Sequence, residues 1–144
     1  MKIALIGCTK RKRNCRSKAI DLYDKSSYFV KRREYANRVL KADEIYILSA
    51  LHKLLPSEKV IDPYDKGLKD MSRSERIEWA DEIMSEIEAT INKTDDIFIL
   101  SGSDYSKDLC PLLLSKGYSV NLVLQGKGGI GYQMNWLDSE VAKA

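Results

Sequence analysis

The residues best equipped for chemistry stand near the start of the chain. Cys8 follows a short apolar run and opens the segment Cys8-Thr9-Lys10-Arg11-Lys12. Six cations, Lys10, Arg11, Lys12, Arg13, Arg16 and Lys18, fall within nine residues. The thiolate is the nucleophilic form of cysteine, and adjacent cations favour it. Ammonium and guanidinium groups also hold phosphate, arginine in bidentate fashion. Cys8 is thus either a nucleophile beside an anion site or a thiol buried at a strand end. Thr9, Lys10 and Lys12 are the candidate substrate ligands next to it.

His52 is the single histidine, and its unperturbed pKa lies near neutrality. With Ser49 it makes a candidate acid/base pair; the plainer reading is a packing or surface histidine. The segment Asp62-Pro63-Tyr64-Asp65 adds carboxylates and an aromatic ring. Asp65 would bind a base edge or a ribose, or cap a turn. Tyr23, Tyr28, Tyr64 and Tyr105 would stack a base or pack the core. Ser101-Gly102 and the glycine-rich stretch from Gly126 through Gly129 to Gly131, followed by Gln133, complete the set of candidate binding residues. Residues 126–131 match GxGxxG, yet only 13 residues follow Gly131. That leaves no room for the acidic ribose ligand of a dinucleotide site, and such a fold is rejected.

Four short apolar runs must position these residues: Lys2–Ile6, Glu44–Ser49, Asp96–Ser101 and Tyr118–Leu124. Each reads as a strand buried on both faces. Helical spacing fills the gaps. One helix spans Ser26–Lys41. A second opens at a capping box, Ser72 with Glu75, and places Ile77, Ala80, Ile83, Met84, Ile87 and Ile91 on its apolar face, with Glu75, Glu78, Glu82 and Glu86 opposite. A third lies within Asp104–Lys116, stopped by Gly117, with Pro111 kinking it or marking its true first turn. A fourth covers about Tyr132–Val141. Alternating strands and helices predict an α/β fold: one compact domain over residues 1–144, with a mainly parallel four-stranded sheet flanked by helices. Ligands of open α/β sheets bind beyond the carboxyl ends of the strands. All four exits carry the residues named above. Residues 51–71 read as the longest irregular segment, a common place for function.

The composition, 44% apolar and 31% charged over 144 residues, excludes a disordered, collagenous or coiled-coil chain. No apolar run is long enough for a transmembrane helix, and the amino-terminal run is too short for a signal-peptide core. The expectation is a cytoplasmic protein that is not bound to a membrane. The net charge of +3 conceals an imbalance: residues 1–72 carry 17 Lys/Arg against 9 Asp/Glu, and residues 73–144 carry 7 against 12. The basic half suggests an anionic partner, a nucleotide or a nucleic acid. Three cysteines without a CxxC and one histidine predict neither a disulfide framework nor a metal site, and no cofactor is expected.

The run Cys8-Thr9-Lys10-x-Lys12, Asp21-Leu22-Tyr23, Ser26-x-x-Phe29, Leu48-Ser49-Ala50-x-His52-x-Leu54-Leu55, Pro63-Tyr64-Asp65-x-x-Leu68-Lys69 and Gly126 to Trp136 resembles a small bacterial and phage domain family grouped with the YaaA-like peroxide-stress proteins. The resemblance spans nearly the whole chain. YaaA-like proteins are longer, and some are associated with DNA binding. A weaker likeness is to the archaeosine synthase domain, which modifies a deazaguanine base in transfer RNA. Cys8 and Lys12 have its Cys-x3-Lys spacing, and Tyr23, Ser26 and Phe29 its Tyr-x2-Ser-x2 spacing, with Phe29 where that domain has His. This second likeness implies a nucleobase-handling site. The expected function is an enzyme acting on a nucleobase or nucleotide within DNA or RNA, with Cys8, Ser49, His52 and Asp65 catalytic. The alternatives are a non-catalytic nucleic-acid-binding or adaptor protein, and an N-glycosidic hydrolase or deoxyribosyltransferase using Asp65 or Asp104.

Overall fold

Strand β1 (Lys2–Gly7) is apolar on both sides. Ile3 and Leu5 join one core, Ala4 and Ile6 the other, and all four are fully buried. Such a strand belongs in the middle of a sheet covered on both faces. The computed structural model, which describes residues 1–144 apart from the side chains of Ser103 and Asp104, places it there. After β1 come β2 (Ser17–Lys18), α1 (Ala19–Leu22), α2 (Ser27–Glu34), a π-helical turn (Tyr35–Leu40), β3 (Glu44–Ser49), β4 (Lys53–Pro56) and β5 (Val60–Ile61). A 3-10 turn (Leu68–Asp70), α3 (Arg73–Thr90), β6 (Asp96–Leu100), α4 (Ser103–Ser115), β7 (Ser119–Leu122) and α5 (Ile130–Lys143) complete the chain.

The main sheet has the order β4-β3-β1-β6-β7. Strands β3, β1, β6 and β7 are parallel, the four expected from sequence. The sheet has five strands rather than four. The addition, β4, folds back antiparallel on β3, pairing Ser49 with Lys53 and Leu48 with Leu54. It lies within 51–71, the segment expected to be irregular. Only Leu54 and Leu55 of its four residues are apolar and buried, too short a pattern to read. Ser49 to His52 is therefore the turn of a hairpin, not the start of a crossover. A second, two-residue ladder joins β2 to β5 and ties the basic loop 8–18 to the segment after β4.

The helices divide between the two faces. α3 and α4 cover one core with Ile3, Leu5, Leu48, Ile97 and Ile99; α1, α2 and α5 cover the other with Ala4, Ile6, Ile47 and Leu100. The β1-to-β3 connection thus carries helices on one face, and the β3-to-β6 and β6-to-β7 connections on the other. The winding reverses between β1 and β6, and the crevice beyond their carboxyl ends is where such sheets hold ligands.

Two helices differ from expectation in detail. α3 begins at the expected capping box: Ser72 Oγ accepts from the Glu75 amide at 3.2 Å, and the Ser72 amide donates to Glu75 Oε1 at 3.1 Å. Its buried face, however, includes Trp79 and leaves Ile77 exposed. Two of the acidic residues hold β4: Leu54 N–H donates to Glu86 Oε2 at 2.9 Å, and Lys53 pairs with Glu82 at 2.6 Å. The edge strand needs those acceptors, and Trp79 Nε1 donates to Ser49 O at 2.9 Å. Together they set the rotation of the helix. α4 runs unbroken through Pro111, which marks no first turn; Gly117, at φ +86°, takes the left-handed position just after it. Among the described residues, no helix is long and apolar enough to cross a membrane.

Candidate active site

Cys8 leaves β1, and Tyr105 stands in the first turn of α4, just after β6. Their side chains meet across the crevice, Sγ to phenolic oxygen at 2.8 Å. The Cys8 amide donates to Leu48 O at 3.1 Å, which extends the sheet and fixes the sulfur. Close packing of the two strand ends depends on Gly7. A Cβ at Gly7 would stand 2.8 Å from Ser101 Cβ, a distance real Cβ contacts do not reach.

Around Cys8 lies a cavity of about 400 Å³, lined by Cys8, Thr9, Lys10, Lys12, Asp65 and Tyr105 of the expected set. That is a size typical of small-ligand sites. Five lining residues were not anticipated: Lys66, Gly67, Leu68, Lys69 and Asp70, the 3-10 turn and its approach. Asp70 Oδ2 accepts from the Gly67 amide at 3.0 Å and closes that turn. Four ammonium groups face two carboxylates here. Among the described residues, none of Lys10, Lys12, Lys66 and Lys69 has a carboxylate within 4.0 Å.

Lys12 is the most constrained of these. Its Nζ donates to Lys10 O at 3.1 Å and lies 4.6 Å from the Tyr64 ring centroid, a cation–π contact. Burial pulls its pKa below the usual lysine range, against the opposing pull of Cys8 and Asp65. Beneath the site lies Arg32, only 1% exposed. Its Nη1 donates to Leu100 O at 2.7 Å, its Nε to Tyr28 O at 3.3 Å, and its guanidinium stacks 4.1 Å from the Tyr28 ring. Burial lowers its pKa to about 10, which leaves it cationic at neutral pH; its ionisable neighbours Tyr28, Cys8 and Tyr105 act in the other direction. Sequence reading missed Arg32. The signal was there: it is a cation on the stripe Phe29, Arg32, Ala36 of an otherwise apolar helix face.

Behind the pocket runs a line of hydroxyls. The His52 amide donates to Ser49 Oγ at 3.0 Å, Ser49 Oγ meets Tyr64 OH at 2.7 Å, and Tyr64 OH meets Tyr23 OH at 2.6 Å. Burial, followed by the nearby charge of Cys8, pushes the phenols of Tyr23, Tyr64 and Tyr105 well above the usual tyrosine range. They stay neutral, so each keeps a hydroxyl proton to share within these contacts. The His52 ring lies edge-on to Tyr64, with 5.3 Å between centroids, and lines a separate shallow cleft with Arg16 and Val60. Burial lowers its pKa, with help from Lys59, and keeps it neutral at pH 7.

The expected residues therefore separate. Cys8, Thr9, Lys10, Lys12, Asp65 and Tyr105 converge on one cavity. Ser49, Tyr64 and Tyr23 form its backing. His52 is reached only across Tyr64, so the structure does not bring it to Cys8. Ser26 caps α2, accepting from the Phe29 amide at 3.3 Å. Ser101 and Gly102 bond to each other, Ser101 Oγ donating to Gly102 O at 3.1 Å, and do not line the cavity. Gly129 and Gly131 border a different, open depression with Lys31 and Tyr132. Gln133 donates to Gly128 O at 2.9 Å and accepts from the Tyr28 hydroxyl, so it braces the 126–131 loop against Arg32's stacking partner. Gly126 and Gly128 have φ of +78° and +88°, and a tight turn accounts for both. The side chain of Asp104 lies outside the described residues. Among the described residues, no group of three His, Cys, Asp or Glu is placed to hold a metal.

The profile of a family described as of unknown function, DUF6884, matches residues 3–139, which include every residue of the pocket. The chain belongs to this family. No curated protein and no solved structure matches it.

Proposed function

We propose that the protein is an enzyme acting on a nucleobase or nucleotide, with Cys8 as nucleophile. The observation that carries this reading is the convergence of Cys8, Lys12, Asp65 and Tyr105 on one cavity at the switch of the parallel sheet. The ammonium groups of Lys10, Lys66 and Lys69 would hold a substrate phosphate. The Cys8 sulfur would attack an electrophilic carbon of the bound base, forming an S–C bond, while the π electron pair of that carbon moves onto the adjoining ring nitrogen, which takes up the proton that the thiol gives up. Tyr105 positions the sulfur as a hydrogen-bond donor. The likeness to a deazaguanine-modifying domain supports a nucleobase.

Alkylation tests this directly. Iodoacetate, an anion, should label Cys8 faster than neutral iodoacetamide does, measured by peptide mass spectrometry against exposed Cys15. A nucleoside monophosphate should protect Cys8 and leave Cys15 unprotected. Equal labelling by the two reagents, without protection, rejects the reading. Asp65 in the same pocket favours a second reading, cleavage of an N-glycosidic bond by a carboxylate. Free base released from a deoxynucleotide, lost in Asp65→Asn and kept in Cys8→Ala, selects it.

A further inference from the structure

The cations of residues 10–25 fall into two groups. Arg13 is neutralised by Asp24, with Nε to Oδ1 at 3.0 Å and Nη2 to Oδ2 at 2.5 Å. Lys18 pairs with Glu58 at 2.9 Å. Lys10, Arg11, Lys12, Arg16 and Lys25 have no carboxylate within 4.0 Å among the described residues. The Arg13 amide also donates to Leu22 O at 2.8 Å. These bonds fasten the basic loop to the turn after α1 and bring Lys25 to the same surface as Arg11. Arg11, Lys12, Asn14 and Lys25 line a shallow depression of their own. Lys12 lines both this depression and the Cys8 cavity. The two adjoin at Lys12.

A free mononucleotide has one phosphate, and Lys10, Lys66 and Lys69 are enough to hold it inside the cavity. It would leave Arg11 and Lys25 unused. Unpaired cations in adjoining sites suit a repeating phosphodiester. We infer that the Cys8 cavity takes one nucleotide of a single-stranded nucleic acid, and that Arg11 and Lys25 hold the phosphate of its neighbour. The inference rests on the nucleotide reading above and adds the polymeric class of substrate. A base on a single strand reaches Cys8 without the extrusion from a duplex that enzymes acting on paired bases must drive.

The test compares a fluorescent oligothymidylate of about ten nucleotides, within the usual site size, with thymidine 5′-monophosphate. Anisotropy reads oligonucleotide affinity, and protection of Cys8 from iodoacetate reads occupancy of the cavity. The oligonucleotide should bind more tightly than the mononucleotide and weaken steeply with salt. Arg11→Ser with Lys25→Ser should lower its affinity about tenfold and flatten the log–log salt slope by about 1.4, or about 0.7 per lost contact on a single strand. Mononucleotide protection of Cys8 should not change. Lys41→Ser with Lys93→Ser, at exposed positions on the opposite, amino-terminal edge of the sheet, should leave the slope as it was. An oligonucleotide that binds no better than the mononucleotide overturns the inference, as does an equal change of slope in both double variants. Failure of both ligands to protect Cys8 overturns the pocket reading itself, and this inference with it.

Discussion

Gly7 shows how much a single residue decides at this site. What matters at this position is the missing Cβ. Without it β1 and Ser101 close to contact, and Cys8 meets Tyr105. Gly7→Ala should cost about 1–3 kcal/mol, the usual range for inserting a methyl group into a packed contact. Ser101→Gly removes the opposing Cβ, so the double variant should recover most of the loss. Urea unfolding of the four proteins measures the cycle; additive effects would show that the two residues do not touch. From sequence, Gly7 is only a glycine after a strand. Cys8 was legible because a thiol among cations is unusual wherever it lies. Lys66 and Lys69 were not, because an exposed lysine beside a turn reads the same in any pocket or in none.

At the scale of the element, the helix ends were the easiest part to read. Ser72 and Glu75 form the reciprocal pair that their spacing requires, because a helix start has free amides to satisfy and no tertiary contact is needed. Ser72→Ala should cost about 1 kcal/mol, seen as a lower urea midpoint with an unchanged m-value. Helix rotation was less legible. Periodicity put Ile77 inside, but α3 turns to seat Trp79 under Ser49 and to offer Glu82 and Glu86 to β4. Strand β4 escaped notice for the same reason. Its four residues form a strand only because β3 offers them an edge.

Across the whole molecule, three buried phenols tie stability to pH. Tyr23, Tyr64 and Tyr105 hold their protons more tightly folded than unfolded, chiefly through burial. The stability they contribute is complete below about pH 10, the unfolded value, and is lost as pH rises above it. Each phenol adds at most about 1.4 kcal/mol per pH unit to that fall. Tyr64→Phe should flatten the fall above pH 10 and leave the slope between pH 6 and 8 unchanged; urea unfolding at a series of pH values checks this. Tyrosinate absorbance should show these phenols ionising only as the protein unfolds. The amino-acid sequence by itself determined the α/β class, the four parallel strands, the helix caps and the basic loop after β1. Those features are local: burial period, capping and charge are written in neighbouring residues. Only the tertiary structure decided which strand exits share a cavity. It joined Cys8 to Asp65, Tyr105 and residues 66–70, and it put His52 beyond Tyr64, and Gly129 and Gly131 on a different surface. Those distances depend on strand order and on the point where the winding reverses, which arise from packing between residues far apart in the chain.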